Sequence, residues 1–145
     1  MVHTRNYAPP PLPRQALYHL MLEAYPSHRM CKELIVVLVE EYAKLWLLKR
    51  EYPSRRIVAP GTILAVQDIH RKKLEEAYRV DCIDYLGFYL YKEMVWDDRT
   101  DHRGTVDTMR AYKDCFHNEP PLPWQQMVEA YERGGHALRM VVNNT

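Results

Sequence analysis

Residue types that bind metals occur at His70, at Asp81 and Cys82, and again at Cys115 and His117. A zinc ion needs three or four such ligands converging at about 2.0–2.3 Å. His70 and Cys82 are twelve residues apart, and that separation corresponds to about 18 Å along an unbroken helix. We therefore predict that His70, Cys82 and Cys115 bind no metal and that His70 is a hydrogen-bonded histidine at the edge of the core. A metal-dependent enzyme or binder that uses His70 and nearby acids is the alternative.

A second group of potential ligands is an acidic loop, made of Asp97, Asp98, Asp101 and His102. Hard cations prefer such carboxylates, but the spacing does not match a calcium-binding loop of the EF-hand type. Arg99 and Arg103 lie among these acids and supply compensating positive charge. We interpret the segment as a solvated loop.

Motifs of common catalytic sites are missing from the sequence. It contains no G-x-S-x-G, no H-E-x-x-H, no glycine-rich phosphate loop and no C-x-x-C pair. We therefore predict a protein that is not an enzyme, with no catalytic residues and no bound cofactor.

Charge is nearly balanced along the chain, with 20 Lys and Arg against 19 Asp and Glu, a net charge of +1. Such a chain has no strong overall field to attract nucleic acid. The basic run Arg71–Lys73 is followed at once by Glu75 and Glu76, so we expect local ion pairs on an exposed helix face. We predict no DNA partner and consider RNA unfavoured. An RNA-associated subunit of the ribosomal type, using this run and Arg55–Arg56, stays a further alternative.

Composition indicates one domain with its own core, because 145 residues and 47% hydrophobic content suffice for one. Three widely spaced cysteines form no disulfide framework, which predicts reduced thiols and an intracellular location. No acidic residue precedes Glu23, a bias shared with mitochondrial transit peptides. The expected compartments are therefore the mitochondrion or the cytosol. The longest apolar run, Leu34–Val39, is too short to span a bilayer.

Helical periodicity in the sequence predicts the elements that position the candidate side chains. The stretch from Pro60 to Tyr91 carries one apolar stripe, which predicts an amphipathic helix or two in series. Residues 54–61 are expected to form a connector and residues 93–104 a polar loop. The predicted helices lie near residues 14–25, 29–52, 62–92, 105–117 and 124–133. The predicted fold is all-α: a single domain of about five helices at 14–133, with an extended proline-rich arm at 1–13 and an extended tail at 134–145.

Several short motifs recur in an order that resembles a known family. They are Glu41-Tyr42 with Leu45, then Pro60, Tyr78 with Asp81-Cys82, Gly87-Phe88, Tyr112 with Phe116, and Pro120-Pro121 with Trp124. Together, over roughly residues 30–125, they resemble the helical domain of the glycine-rich-domain-containing protein-like family. The resemblance implies an all-α fold. The chain departs from the family at its W-H-x-H segment. The aligned positions are Asp68, Ile69 and Arg71 here, so the paired histidines are missing.

The termini are the expected contact surfaces. A proline-rich segment is stiff and loses little conformational entropy when it docks, and the tail is apolar for a free end. We therefore predict a non-catalytic accessory or scaffold subunit that binds other protein subunits of a larger assembly, with no membrane-spanning segment. The predicted partner-binding residues are Tyr7, Pro9, Pro10, Pro11, Leu12, Pro13, Leu138, Met140 and Val141.

Overall fold

The computed structural model describes residues 10–97 and 102–126. In chain order the elements are α1 (Arg14–Ala24), α2 (Lys32–Glu51), β1 (Ile57–Ala59), α3 (Gly61–Lys73), α4 (Glu75–Asp81), a π-helical turn (Cys82–Leu86), a 3-10 turn (Lys92–Met94), β2 (Val95–Asp97) and α5 (His102–Phe116). Residues 122–126 are also helical. The predicted all-α class is confirmed, and the described residues form one compact domain. None of their helices is long and apolar enough to cross a bilayer.

The long helix α2 is the centre of the core, because its apolar residues cover most of its circumference. It contacts α1, α3, α5 and β1. Leu38, Leu45 and Trp46 on this helix are completely buried. The predicted helix near 29–52 is thus confirmed, with its start moved to Lys32. A turn from Pro26 to Met30 precedes it, closed by hydrogen bonds to the carbonyl of Pro26.

The central stretch does not form one helix to residue 92. Leu74, with φ −126° and ψ 48°, separates α3 from α4, so the second predicted option, two helices in series, is the observed one. Glu75 and Glu76 open α4, where acidic side chains favour a helix start. The helical path ends at Gly87, whose φ of +83° is a left-handed conformation that glycine adopts without a steric penalty. The predicted end at residue 92 is therefore wrong.

Two short strands lie where the sequence predicted a connector and a polar loop. β1 and β2 pair in parallel, with Ile57 opposite Val95 and Ala59 opposite Asp97. The backbone N–H of Val58 donates to Thr108 Oγ1 on α5 at 2.9 Å. Strands of three residues are too short to show a period, so sequence patterning could not reveal them.

The described base of the proline-rich arm turns back onto the domain. Leu12 N–H donates to the Pro10 carbonyl, and Arg14 N–H donates to the Leu12 carbonyl, each at 2.8 Å. These bonds span two residues each and make tight turns, whereas a regular polyproline helix has no internal hydrogen bonds. Pro10 and Leu12 are buried. The remainder of the arm, most of the predicted helix near 124–133 and the tail lie outside the described residues.

Candidate functional site

His70 lies in the last turn of α3 and is completely buried between α2 and α4. Its Nδ1 atom is 2.9 Å from the hydroxyl of Tyr42 on α2. Its Nε2 atom is 3.3 Å from Oδ2 of Asp81 on α4. The break at Leu74 lets α4 fold back beside α3, so two residues that a continuous helix would hold apart are in contact. The helix is therefore not continuous between His70 and Cys82, and of the candidate ligands His70 and Asp81 are in contact.

Burial sets the protonation states of this pair. Removal from water lowers the pKa of His70 from 6.5 to about 4, and burial raises the pKa of Asp81. The imidazole is thus neutral near neutral pH. An ionised Asp81 is only an acceptor, which favours the tautomer with hydrogen on Nε2 and makes Tyr42 the donor to Nδ1. The Nε2 and Oδ2 atoms are nevertheless outside hydrogen-bond geometry.

Aromatic rings enclose the imidazole on several sides. The ring of Tyr78 meets that of His70 edge-on, with centroids 4.9 Å apart, and the Trp46 ring lies 5.6 Å away. Trp46 also contacts Tyr42 and Tyr78 edge-on, at 6.2 and 5.7 Å. Edge-to-face contacts of this kind add to the stabilisation from buried area. His70 is therefore part of an aromatic core, in agreement with its predicted structural role but deeper than the predicted core edge.

Tyr78 and Cys82 hold the chain that follows the π-helical turn. Tyr78 donates a hydrogen bond to the carbonyl of Leu90 and accepts one from Gln67 Nε2 at 3.3 Å. The N–H of Leu90 donates to Cys82 Sγ at 3.3 Å. Burial raises the pKa of both Tyr78 and Cys82. A buried thiol with a raised pKa is a poor nucleophile, so Cys82 is suited to packing and not to covalent catalysis.

A second buried polar cluster is centred on Glu41 of α2. Its Oε1 atom accepts hydrogen bonds from Tyr112 at 2.7 Å and from the indole of Trp124 at 2.9 Å. Its Oε2 atom lies 2.9 Å from Lys44 Nζ. Lys44 also donates to the Tyr112 hydroxyl at 3.0 Å and lies over the rings of Tyr112 and Phe116. This cluster attaches α5 and the helical residues 122–126 to α2.

Glu41 and Lys49 were missed as buried polar residues by the sequence reasoning. Glu41 is 3% exposed and Lys49 is 4% exposed. Lys49 Nζ donates to the Arg55 carbonyl at 2.7 Å, and burial lowers the pKa of this lysine. One feature of the sequence could have indicated their burial: both residues lie in an apolar helix that has no fully polar face.

Of the other potential ligands, Cys115 contacts a different part of the core. Cys115 on α5 lies 3.9 Å from the Tyr52 hydroxyl. Asp97 ends β2 and His102 begins α5, whereas Asp98 and Asp101 lie outside the described residues. Within residues 10–97 and 102–126, no three His, Cys, Asp or Glu side chains are placed to hold a metal ion. That His70, Cys82 and Cys115 bind no metal stays a prediction.

Arg71 of the basic run makes a local ion pair with Asp68, which precedes the run, and Glu76 after the run pairs with Arg79. Arg71 lies 3.3 Å from Asp68, and Arg79 lies 2.6 Å from Glu76. The residues of each pair are three positions apart on a helix; the Arg71–Asp68 pair is partly buried, and the Arg79–Glu76 pair is exposed, where an ion pair contributes little to stability.

The predicted partner-binding residues are divided by the structure. Pro10 and Leu12 pack against their own domain, Pro11 is exposed, and Pro13 is half-buried just before α1. The other predicted contacts, Tyr7, Pro9, Leu138, Met140 and Val141, lie outside the described residues.

Residues on which the family resemblance rests occupy the two buried clusters. Tyr42, Tyr78 and Cys82 belong to the histidine cluster, and Glu41, Tyr112 and Trp124 to the carboxylate cluster. At these positions the side chains contribute packing and buried hydrogen bonds between elements. No protein-family model, curated protein or solved structure matches the chain.

Proposed function

We propose that this chain is a non-catalytic accessory or scaffold subunit that binds other protein subunits within a larger assembly. The observation that carries the proposal is the use made of reactive side chains in the core. His70 and Cys82 are completely buried, and their polar atoms face other buried groups of α2, α4 and the chain after it. They therefore join helices and offer no open face to a substrate.

Apolar side chains on the described surface support a protein-binding role. Ile83 is 53% exposed, Tyr91 is 55% exposed and Leu122 is 59% exposed. Large apolar and aromatic side chains are the ones that contribute most at protein interfaces. The base of the arm is held on the domain by Leu12, so partner contacts by Tyr7, Pro9 and Pro11 would start from a fixed point. Leu138, Met140 and Val141 are the proposed contacts of the tail.

Deletion of residues 1–9 tests the arm without removing Leu12 from the core. We expect the shortened protein to retain its helical circular dichroism and melting temperature, because Leu12 and the other core residues are kept. We expect it to leave its native high-molecular-weight assembly on a native gel of cell extract. A second variant, with Leu138, Met140 and Val141 changed to serine, tests the tail in the same way.

The matched control replaces residues 1–9 by a glycine-serine segment of equal length. It should behave like the deletion if the side chains of the arm make the contacts. If the deletion variant and the glycine-serine variant are both fully retained in the assembly, the proposed role of the arm is contradicted. Migration of the unaltered protein as a free chain in its own cells would contradict the proposed function as a whole.

For the compartment, we propose the mitochondrion, with the cytosol as the alternative. The support is the absence of acidic residues before Glu23 together with the basic side chains of Arg5 and Arg14. Protease protection of the endogenous protein in purified mitochondria would support this location, and recovery only in the cytosolic fraction would contradict it.

A further inference from the structure

A shallow groove of about 190 Å³ runs between α1 and α2 on the described surface. Tyr18 of α1 and Val39 of α2 form its apolar floor, beside Val36. Val36 is 49% exposed, although it lies in the most apolar part of α2. The rim carries Arg14 and Glu40, whose side chains approach only to 3.7 Å.

Charges flank Val36 in a self-complementary register. Lys32 lies four residues before Val36 and Glu40 four residues after it, so the three side chains line up on one face of α2. All three residues are exposed. If two copies of α2 cross antiparallel with Val36 at the two-fold axis, Lys32 of each copy lies opposite Glu40 of the other. A symmetric dimer requires this kind of patch, in which the same surface complements itself.

We propose that the α1–α2 groove is a homodimerisation surface, occupied by α2 of a second copy of this chain in antiparallel orientation about Val36. The two Val36 side chains meet at the axis, and each partner's helix lies along the groove beside Tyr18. Two Lys32–Glu40 pairs fix the register. Arg14 approaches Glu40 from its own chain, so Glu40 lies between two cations in the dimer.

The area of this surface limits its strength. Stable complexes bury about 1,200–2,000 Å² in total, and a surface of a few helical turns is smaller than that. We therefore expect a reversible monomer–dimer equilibrium that added salt weakens, because the two ion pairs are exposed to solvent.

Charge reversal tests the register by analytical ultracentrifugation of the full chain. Lys32→Glu alone places glutamates opposite each other at both ends of the interface, and Glu40→Lys alone places lysines there. Each single variant should dimerise about tenfold more weakly than the unaltered protein. An equimolar mixture of the two variants should recover dimers, because every pair in the mixed dimer is again of opposite sign. Lys72→Glu, an exposed lysine reversed on α3, is the matched control and should dimerise normally.

Circular dichroism of each variant checks that folding is retained, and Val36→Asp supplies a test that does not depend on charge pairing. It should reduce dimerisation more than either single reversal does. The proposal is overturned if the unaltered chain is monomeric up to about 1 mM, or if the mixture dimerises no better than the single variants. These variants retain the arm and the tail, so their results do not bear on the proposed assembly role.

Discussion

At the scale of single residues, burial affects the pKa of His70 more than the neighbouring side chains do. Its imidazole loses water on all sides and gains one hydrogen-bond partner, Tyr42, together with an off-axis carboxylate from Asp81. Desolvation disfavours the charged imidazolium, so the pKa falls to about 4. Sequence patterning placed His70 on the apolar stripe but could not place Asp81 beside it, because that contact depends on the break at Leu74.

The depressed pKa of His70 predicts that the protein loses stability as the pH falls. The unfolded chain takes up a proton near pH 6.5 and the folded chain only near pH 4, so the free energy of unfolding decreases between these values. The full effect is about 3 kcal/mol. Asp81, whose pKa is raised, opposes this loss at the acid end of the range. Urea unfolding at several pH values measures the slope.

His70→Gln supplies the comparison for this prediction, because it keeps a polar side chain but cannot titrate. The variant is expected to be less stable near neutral pH. The difference in unfolding free energy between the two proteins should shrink as the pH falls towards 4.5. Parallel curves for the two proteins would show that His70 does not carry the pH dependence.

At the scale of elements, the helices of Arg14–Ala24, Lys32–Glu51 and His102–Phe116 were accessible from the sequence. Each has several turns of regular apolar spacing, which is the strongest local signal. Two helices in series were one of the predicted options for the central stretch, but the position of the break was not accessible, because leucine is a good helix former and the apolar stripe continues through Leu74. Tertiary packing decides that point, since Gln67 and His70 of α3 reach Tyr78 and Asp81 of α4 only if the chain changes direction at Leu74.

The left-handed conformation at Gly87 predicts a cost for a side chain there. Gly87→Ala should lower the free energy of unfolding by about 1–2 kcal/mol, because φ is +83° and a Cβ disfavours that region. No atom lies within 4 Å of the position that a Cβ would take, so the cost is conformational and not a clash. Chemical denaturation monitored by circular dichroism measures it.

Gly61→Ala is the matched control, since a Cβ there also meets no atom within 4 Å and the glycine opens helix α3. It should leave stability unchanged or raise it by up to about 1 kcal/mol. Equal destabilisation by the two substitutions would indicate that the sign of φ at Gly87 is not the cause.

At the scale of the whole molecule, contacts between distant residues decide how the helices assemble. Glu41 bonds with Tyr112 and Trp124, which are 71 and 83 residues away in the chain. Periodicity predicts which face of a helix is buried but not which partner covers it. The all-α class could therefore be predicted, whereas the hydrogen-bonded attachment of α5 and residues 122–126 to α2 could not. The pairing of β1 with β2 belongs to the same group of long-range contacts.

The base of the proline-rich arm is part of the folded domain, and a pair of leucine substitutions tests this. Leu12 is 8% exposed and belongs to the core, whereas Leu122 is 59% exposed. Leu12→Ala removes buried methyl groups and should lower the free energy of unfolding by about 2 kcal/mol or more. Leu122→Ala removes the same atoms from the surface and should change it by less than about 0.5 kcal/mol. Thermal and urea unfolding of both variants measures the contrast. Similar stability of the two variants would mean that Leu12 is not held in the core, and the arm would then lack the fixed base from which its partner contacts are proposed to extend.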